Sequence, residues 1–182
     1  MFKVVFVCSG NRCRSPVAEA ALRAALKEPW LDVTSAGTLH LGAAHVPHEM
    51  LAAAADVDLD LSDHRARNLE ELKLSEADLV IGMTLEHVAA ASVNAGARPE
   101  RSFTLTELVD LLKKAEPPQA DDPEEYARDV VAAAQAERRK SKSFAPAAEI
   151  VDPLGGPRRL YQDVTEQIRD LCAELAAALK KS

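Results

Sequence analysis

Two side chains near the start of the sequence have the types and the spacing for chemistry on a phosphoryl group. Cys8 and Arg14 stand with five residues between them in Cys8-Ser9-Gly10-Asn11-Arg12-Cys13-Arg14-Ser15-Pro16. A thiol held among amide donors at a helix N-terminus is expected to ionise near neutral pH. The Arg14 guanidinium is a planar fork that suits two phosphate oxygens at once. A nucleophile beneath a bound phosphoryl group, with donors around its equatorial oxygens, is a device for phosphoryl transfer through a phosphocysteine. The plain alternative is a structural cysteine buried at a strand end. The order of strand, Cys, five-residue gap, Arg, Ser and Pro favours the reactive reading.

The elements that must position these residues are written around them. Val4 to Val7 is a β-branched and aromatic run that reads as a strand buried on both faces. Gly10 and Asn11 tolerate positive φ and so suit a tight loop. Ser15-Pro16 predicts a helix start, with Ser as N-cap and Pro at the first helical position. Together they predict an anion cradle of Ser9, Gly10, Asn11, Arg12, Cys13, Arg14 and Ser15, in which backbone N–H groups and a positive helix end face one point. A Gly-Lys-Ser/Thr ending is absent, which excludes a nucleotide-binding P-loop. Departure of a leaving group from phosphorus also needs a proton donor. Asp152 lies in Ile150-Val151-Asp152-Pro153-Leu154-Gly155-Gly156-Pro157, a stretch that one proline stiffens and two glycines let fold tightly. Taken alone, an Asp-Pro is an ordinary turn.

The stretch Val7 to Pro16 resembles the signature of the low-molecular-weight protein tyrosine phosphatase family, which includes bacterial protein arginine phosphatases and thioredoxin-coupled arsenate reductases. The resemblance covers most of the chain except 113–147. It implies that Asp152, in the Asp-Pro before the last helix, protonates the leaving group and then deprotonates the water that hydrolyses phosphocysteine. It implies that Asn11 is held left-handed, that Ser35 and His64 hydrogen-bond around it, and that the Ser15 hydroxyl stabilises the thiolate. It also implies that Cys8 and Cys13 form a reversible disulfide under oxidation. An arsenate reductase would need relay cysteines, and only Cys13 and Cys172 remain, the latter on the apolar face of the last helix. A non-catalytic phosphate-binding module would need neither nucleophile nor acid. The expected function is therefore hydrolysis of phosphotyrosine in a phosphorylated protein, with phosphoarginine as the alternative substrate. Arg12 stands where arginine phosphatases carry Thr and tyrosine phosphatases an aliphatic residue, while Leu154-Gly155-Gly156 is closer to the arginine phosphatases.

Composition bounds the other possibilities. At 182 residues with 47% hydrophobic content the chain is expected to form one domain with a good core, and 4% aromatics make that core mainly Ala, Val and Leu. A net charge of −7 argues against nucleic-acid or anionic-membrane partners. No signal peptide precedes the first strand and no apolar run is long enough to span a bilayer. Three cysteines fit a reducing cytoplasm. His40, His45, His48 and His87 show no metal-ligand spacing with the cysteines, so neither a metal nor a cofactor is expected. The composition carries no signal for an oligomeric state.

Along the chain, strands are expected at 4–7, 31–36, 78–83 and 101–105, alternating with helices at 16–27, 47–55, 85–94, 106–114 and 158–180. There is no internal repeat. The alternation predicts a doubly wound α/β/α fold on a parallel four-stranded sheet, and the family resemblance implies the order 2-1-3-4. Ligands in such sheets sit beyond the carboxyl ends of the strands, where the Cys8 loop lies. The stretch 113–147 reads as an irregular insertion with an exposed helix from Glu124 to Lys140. Its basic end, Arg138-Arg139-Lys140-Ser141-Lys142, reads as cations at a helix C-terminus or as part of a flap.

Overall fold

The structure, a computed structural model, describes residues 1–140 and 148–181. Ten elements follow one another: β1 (Phe2–Cys8), α1 (Arg14–Ala25), β2 (Leu31–Gly37), α2 (His48–Ala55), β3 (Leu79–Gly82), α3 (Leu85–Ala95), β4 (Ser102–Thr104), α4 (Leu105–Leu112), α5 (Pro123–Lys140) and α6 (Arg158–Leu179). The four strands are parallel in the order β2-β1-β3-β4, with Val4 paired to Val33 on one side and to Leu79 on the other. Strand β1 is central, which is why its run needs no polar alternation.

Successive side chains of β1 go to opposite layers. Phe2, Val4 and Phe6 join the larger core with Val17, Leu22, Met50, Leu108, Ile168 and Leu175, whereas Val5 and Val7 join Ala36, Leu69, Leu74, Val80 and Ala91. This is a three-layer α/β/α sandwich with helices on both faces. All four strands end on the same edge, at Cys8, Gly37, Gly82 and Thr104.

The helices begin and end where local chemistry stops them. Thr84 accepts from the His87 amide at the start of α3, and Gly96 closes that helix in the left-handed region at φ 72°. Thr104 and Glu107 form a capping box on α4. Helix α6 buries Tyr161, Val164, Thr165, Ile168, Cys172, Leu175, Ala176 and Leu179, one stripe at helical spacing.

Two expectations are corrected. Helix α1 starts at Arg14, with Cys13 at the N-cap position and no side chain capping it. The Ser15 hydroxyl is turned into the site instead, and Pro16 is tolerated because first-turn amides have no partner within the helix. The 123–140 helix is present but is not an exposed appendage: α5 buries Tyr126, Ala127, Val130, Val131 and Ala134. Its basic end is pinned as well. Arg138 donates to both carboxylate oxygens of Glu107 at 2.8 Å and to the Ser102 carbonyl at 2.8 Å, and its guanidinium carbon lies 3.8 Å from the Phe103 ring centroid. Ser141 and Lys142, the rest of that cluster, lie outside the described residues.

Candidate active site

The loop from Cys8 to Arg14 closes over the end of the sheet by backbone contacts that leave no room for a side chain at position 37. Thr38 N donates to the Cys8 carbonyl at 3.0 Å and Leu39 N to the Ser9 carbonyl at 2.9 Å. Gly37 is required here: a Cβ at that position would stand 2.8 Å from the Ser9 carbonyl oxygen and 2.9 Å from Asn11 N and Gly10 C.

Asn11 is the hub of the loop. It is fully buried at φ 49°, a left-handed conformation that asparagine bears better than most residues. Its Nδ2 donates to Ser15 Oγ at 3.0 Å and to Ser35 Oγ at 2.8 Å, and its Oδ1 accepts from Arg67 N at 3.0 Å. Its carbonyl accepts from His64 Nε2 at 2.9 Å, which places that ring's proton on Nε2. Burial pushes the His64 imidazole below its ordinary value, with the hydrogen bond to Asn11 opposing it. Ser35 in turn donates to the buried Glu19 at 2.6 Å, and Arg23 pairs with that carboxylate at 3.0 Å.

These bonds direct the single proton of Ser15. Since Ser15 Oγ accepts from Asn11, its one proton faces two acceptors, Cys8 Sγ at 3.0 Å and the Ala36 carbonyl at 3.4 Å, of which the sulfur is the nearer. Burial first, then the negative charges of Asp152 and Cys8, push the Cys13 thiol up to about 12.

Arg14 lies beneath the loop, its side chain only 4% exposed. Nη1 donates to the Ile150 carbonyl at 3.1 Å, and Nη2 donates to Ser9 Oγ at 3.1 Å and to Asp152 Oδ2 at 2.5 Å. Nε is buried and has no partner among the described residues. A buried guanidinium that keeps unpaired N–H donors is a ready anion site.

Asp152 arrives from the far end of the chain on a segment tied down at several points. Ile150 N donates to the Met83 carbonyl at 3.1 Å, Leu85 N to Glu149 Oε1 at 2.8 Å, and Thr106 Oγ1 to the Ala148 carbonyl at 2.5 Å. Beyond it, Gly155 at φ 79° donates to the Tyr161 hydroxyl at 3.0 Å.

The comparisons with known proteins fall on this arrangement. The model of the family described as low molecular weight phosphotyrosine protein phosphatase matches residues 3–133. The chain belongs to this family. Family membership makes it a phosphatase, a hydrolase. It is 26% identical to a protein-arginine-phosphatase of Bacillus subtilis over 98% of this chain and 97% of the relative. It is 39% identical to a low molecular weight protein-tyrosine-phosphatase of Streptomyces coelicolor over 49% of this chain, a match that spans 57% of that relative's length. A YwlE arginine phosphatase, solved as a mutant with a phosphorylated active site serine, superposes with a TM-score of 0.72 at 25% identity, covering 100% of this chain and 97% of that one.

The structure brings the candidate site residues of the sequence, Cys8 to Ser15, Ser35, His64 and Asp152, to one edge of the sheet. Three participants had no such notice. Glu19 terminates the Asn11–Ser35 chain, Glu149 anchors the Asp152 segment on α3, and His87 sits against Ser9 with Nε2 3.0 Å from its hydroxyl. The signal for His87 was its place three residues after the Thr84 cap, at the carboxyl end of β3. Arg12 sends its Nε to the His45 carbonyl at 2.7 Å, and so lies along the 38–47 loop rather than on an acidic neighbour. Around it the rim is aliphatic, with Leu39, Leu41, Val151 and Leu154 exposed. Among the described residues no three His, Cys, Asp or Glu side chains gather as a metal-holding group, and no helix is long and apolar enough to cross a membrane.

Proposed function

We propose that the protein hydrolyses phosphotyrosine in phosphorylated proteins through a phosphocysteine formed on Cys8, with Asp152 as acid and then base. The observation that carries this reading is the meeting of Cys8 Sγ, a buried Arg14 with an unpaired Nε, and Asp152 on one edge of the sheet. The amides of the loop and Arg14 hold the equatorial oxygens of the phosphoryl group. The sulfur attacks phosphorus in line, and Asp152 hands a proton to the departing oxygen. Asp152 then takes a proton from the water that attacks phosphocysteine, which returns the sulfur and releases phosphate. Cys8→Ser is expected to abolish turnover of an aryl phosphate while retaining phosphate binding. Asp152→Ala is expected to slow esters with poor leaving groups far more than p-nitrophenyl phosphate, whose leaving group needs no proton. Near-normal turnover by Cys8→Ser would sink the mechanism.

Substrate choice rests on Arg12 and the aliphatic rim. A guanidinium at the mouth repels the cationic group of phosphoarginine, and it can lie over a phenyl ring as a cation–π contact of about 0.5–1 kcal/mol. Leu39, Leu41 and Leu154 offer an apolar wall to the same ring. The second reading, phosphoarginine, is favoured by the match to a protein-arginine-phosphatase over nearly the whole of both chains. Wild type, Arg12→Thr and Arg12→Ile compared on both phosphopeptides decide between them. Phosphotyrosine preference in wild type that shifts toward phosphoarginine in Arg12→Thr supports the first, and wild-type preference for phosphoarginine the second.

The remaining parts of the reading concern setting. All three cysteines are free, in keeping with a cytoplasmic, reducing location. The acidic body argues against nucleic-acid or membrane partners. The whole chain serves as one catalytic domain, since α5 contributes Tyr126 and Val130 to the common core. Peroxide is expected to oxidise the Cys8 thiolate to a sulfenic acid, releasing hydroxide. The Cys13 thiol then condenses with it to a disulfide and water. Dithiothreitol should restore activity in wild type and fail to do so in Cys13→Ala; equal overoxidation of Cys8 in both would refute this.

A further inference from the structure

One buried titratable side chain against the phosphate cradle has no part in the mechanism above. His87, in the first turn of α3, is 4% exposed. Its Nε2 lies 3.0 Å from Ser9 Oγ and its Nδ1 3.0 Å from Thr84 Oγ1. Ser9 Oγ also receives a hydrogen bond from Arg14 Nη2 at 3.1 Å. A guanidinium only donates, so the Ser9 oxygen must accept there. The direction of the one hydroxyl proton is then decided by His87. With Nε2 unprotonated, Ser9 donates to it; with the ring proton on Nε2, Ser9 accepts twice and its proton is left for an oxyanion. Both arrangements keep a Ser9 lone pair on Arg14; the first needs a neutral ring, and in the second the ring donates from Nε2. Burial, followed by the positive charge of Arg14, pushes the imidazole down to about 4, so it is neutral at working pH.

We propose that His87 is a positioning residue of the phosphate site: through Nε2 it fixes the orientation of the Ser9 hydroxyl, and through that hydroxyl the Nη2 corner of the Arg14 guanidinium. The inference rests on the reading that the Cys8–Arg14 loop binds the phosphoryl group. Neither the nucleophile nor the acid is touched by His87, so it acts only through Ser9.

The test is a double-mutant cycle of His87→Phe and Ser9→Ala, read as kcat/KM on an aryl phosphate and as inhibition by inorganic phosphate. Each single change is expected to cost about tenfold in both readouts, the scale of one hydrogen bond to a charged group. The double variant should lose no more than either single one, because both remove the same link. His87→Gln keeps an acceptor at similar reach and should stay within about threefold of wild type. Losses that multiply in the double variant would overturn the proposal. So would Gln as damaging as Phe, which would make the ring's shape the relevant property. Should His87→Phe fail to fold, Ser9→Ala decides alone, and unchanged phosphate inhibition there overturns the link. Failure of the phosphatase reading would look different: wild type itself would bind no phosphate and turn nothing over.

Discussion

Asp152 and an incoming phosphate compete for the same corner of Arg14, and the size of that competition can be worked out. Nη2 of Arg14 is held by Asp152 Oδ2 at 2.5 Å, while Nε has no partner among the described residues. A phosphoryl group that takes both Nε and Nη2 must displace the carboxylate. Asp152→Asn keeps the shape but removes the charge. An exposed ion pair is worth up to about 1 kcal/mol, and a hydrogen bond to a charged group about 1.5–3 kcal/mol. The carboxylate is 41% exposed and the guanidinium 4%, so solvent screens one partner and not the other. A value of about 1.5 kcal/mol lies between those limits and corresponds to roughly tenfold in Kd. Removing the repulsion between Asp152 and the phosphate dianion acts in the same direction. Calorimetric titration with inorganic phosphate at neutral pH should thus find Asp152→Asn binding roughly tenfold more tightly than wild type. Turnover should fall in the same variant, because the proton donor is gone. Binding and catalysis therefore move in opposite directions. Phosphate affinity that is unchanged or weaker in Asp152→Asn would refute the competition and make Asp152 a mere strut of the loop.

Gly37→Ala drives a methyl group into backbone atoms of Ser9, Gly10 and Asn11 at 2.8–2.9 Å. A cradle shifted by even part of an ångström should lower kcat by on the order of a hundredfold, measured on an aryl phosphate. Stability should depend on acidity through His87, which faces Arg14, Asp152 and Glu149. Its folded value near 4 lies below the unfolded 6.5, so the unfolded chain binds more protons between them. The contribution is complete above the unfolded value and is lost as pH falls toward 4, by roughly 3 kcal/mol at most. His64, also pushed down by burial, acts in the same sense. Urea midpoints measured from pH 7 to pH 4 should show this fall in wild type and a shallower one in His87→Gln. Arg138→Ala removes the bonds to Glu107 and Ser102 and the stack on Phe103. It should cost about 2 kcal/mol in urea unfolding and leave KM unchanged.

What was legible in the sequence was whatever one short segment had to do by itself. Val4 to Val7 announces a central strand because every side chain must be apolar when both faces are covered. Cys8, Asn11 and Arg14 announce an anion loop because strand end, left-handed residue and helix start fit only at that spacing. The exception at Ser15 is also local. Serine before proline is the usual grammar of a helix start, but a competing use for the hydroxyl, on Cys8 Sγ, won. Helix α5 differs from the exposed helix expected for another reason. The prolines at 117, 118 and 123 and the charges after them suggest an exposed segment, while Tyr126, Val130 and Ala134 stand four residues apart on one face. The partners of Glu19, Glu149 and His87 are not legible locally, because each acts on a residue of another element. His87 reaches Ser9 over 78 residues, and Arg14 reaches Asp152 over 138. Only the parallel order β2-β1-β3-β4 brings these together, by ending all four strands on one edge. The division is physical: a cradle of amides can be built by consecutive residues, but an acid must stand on the opposite side of the phosphoryl group from the nucleophile. That demand for opposition forces the acid onto a distant segment, and its anchors with it. Glu149 on the first amide of α3 and Ile150 on the Met83 carbonyl then fix in space what proximity in the chain cannot.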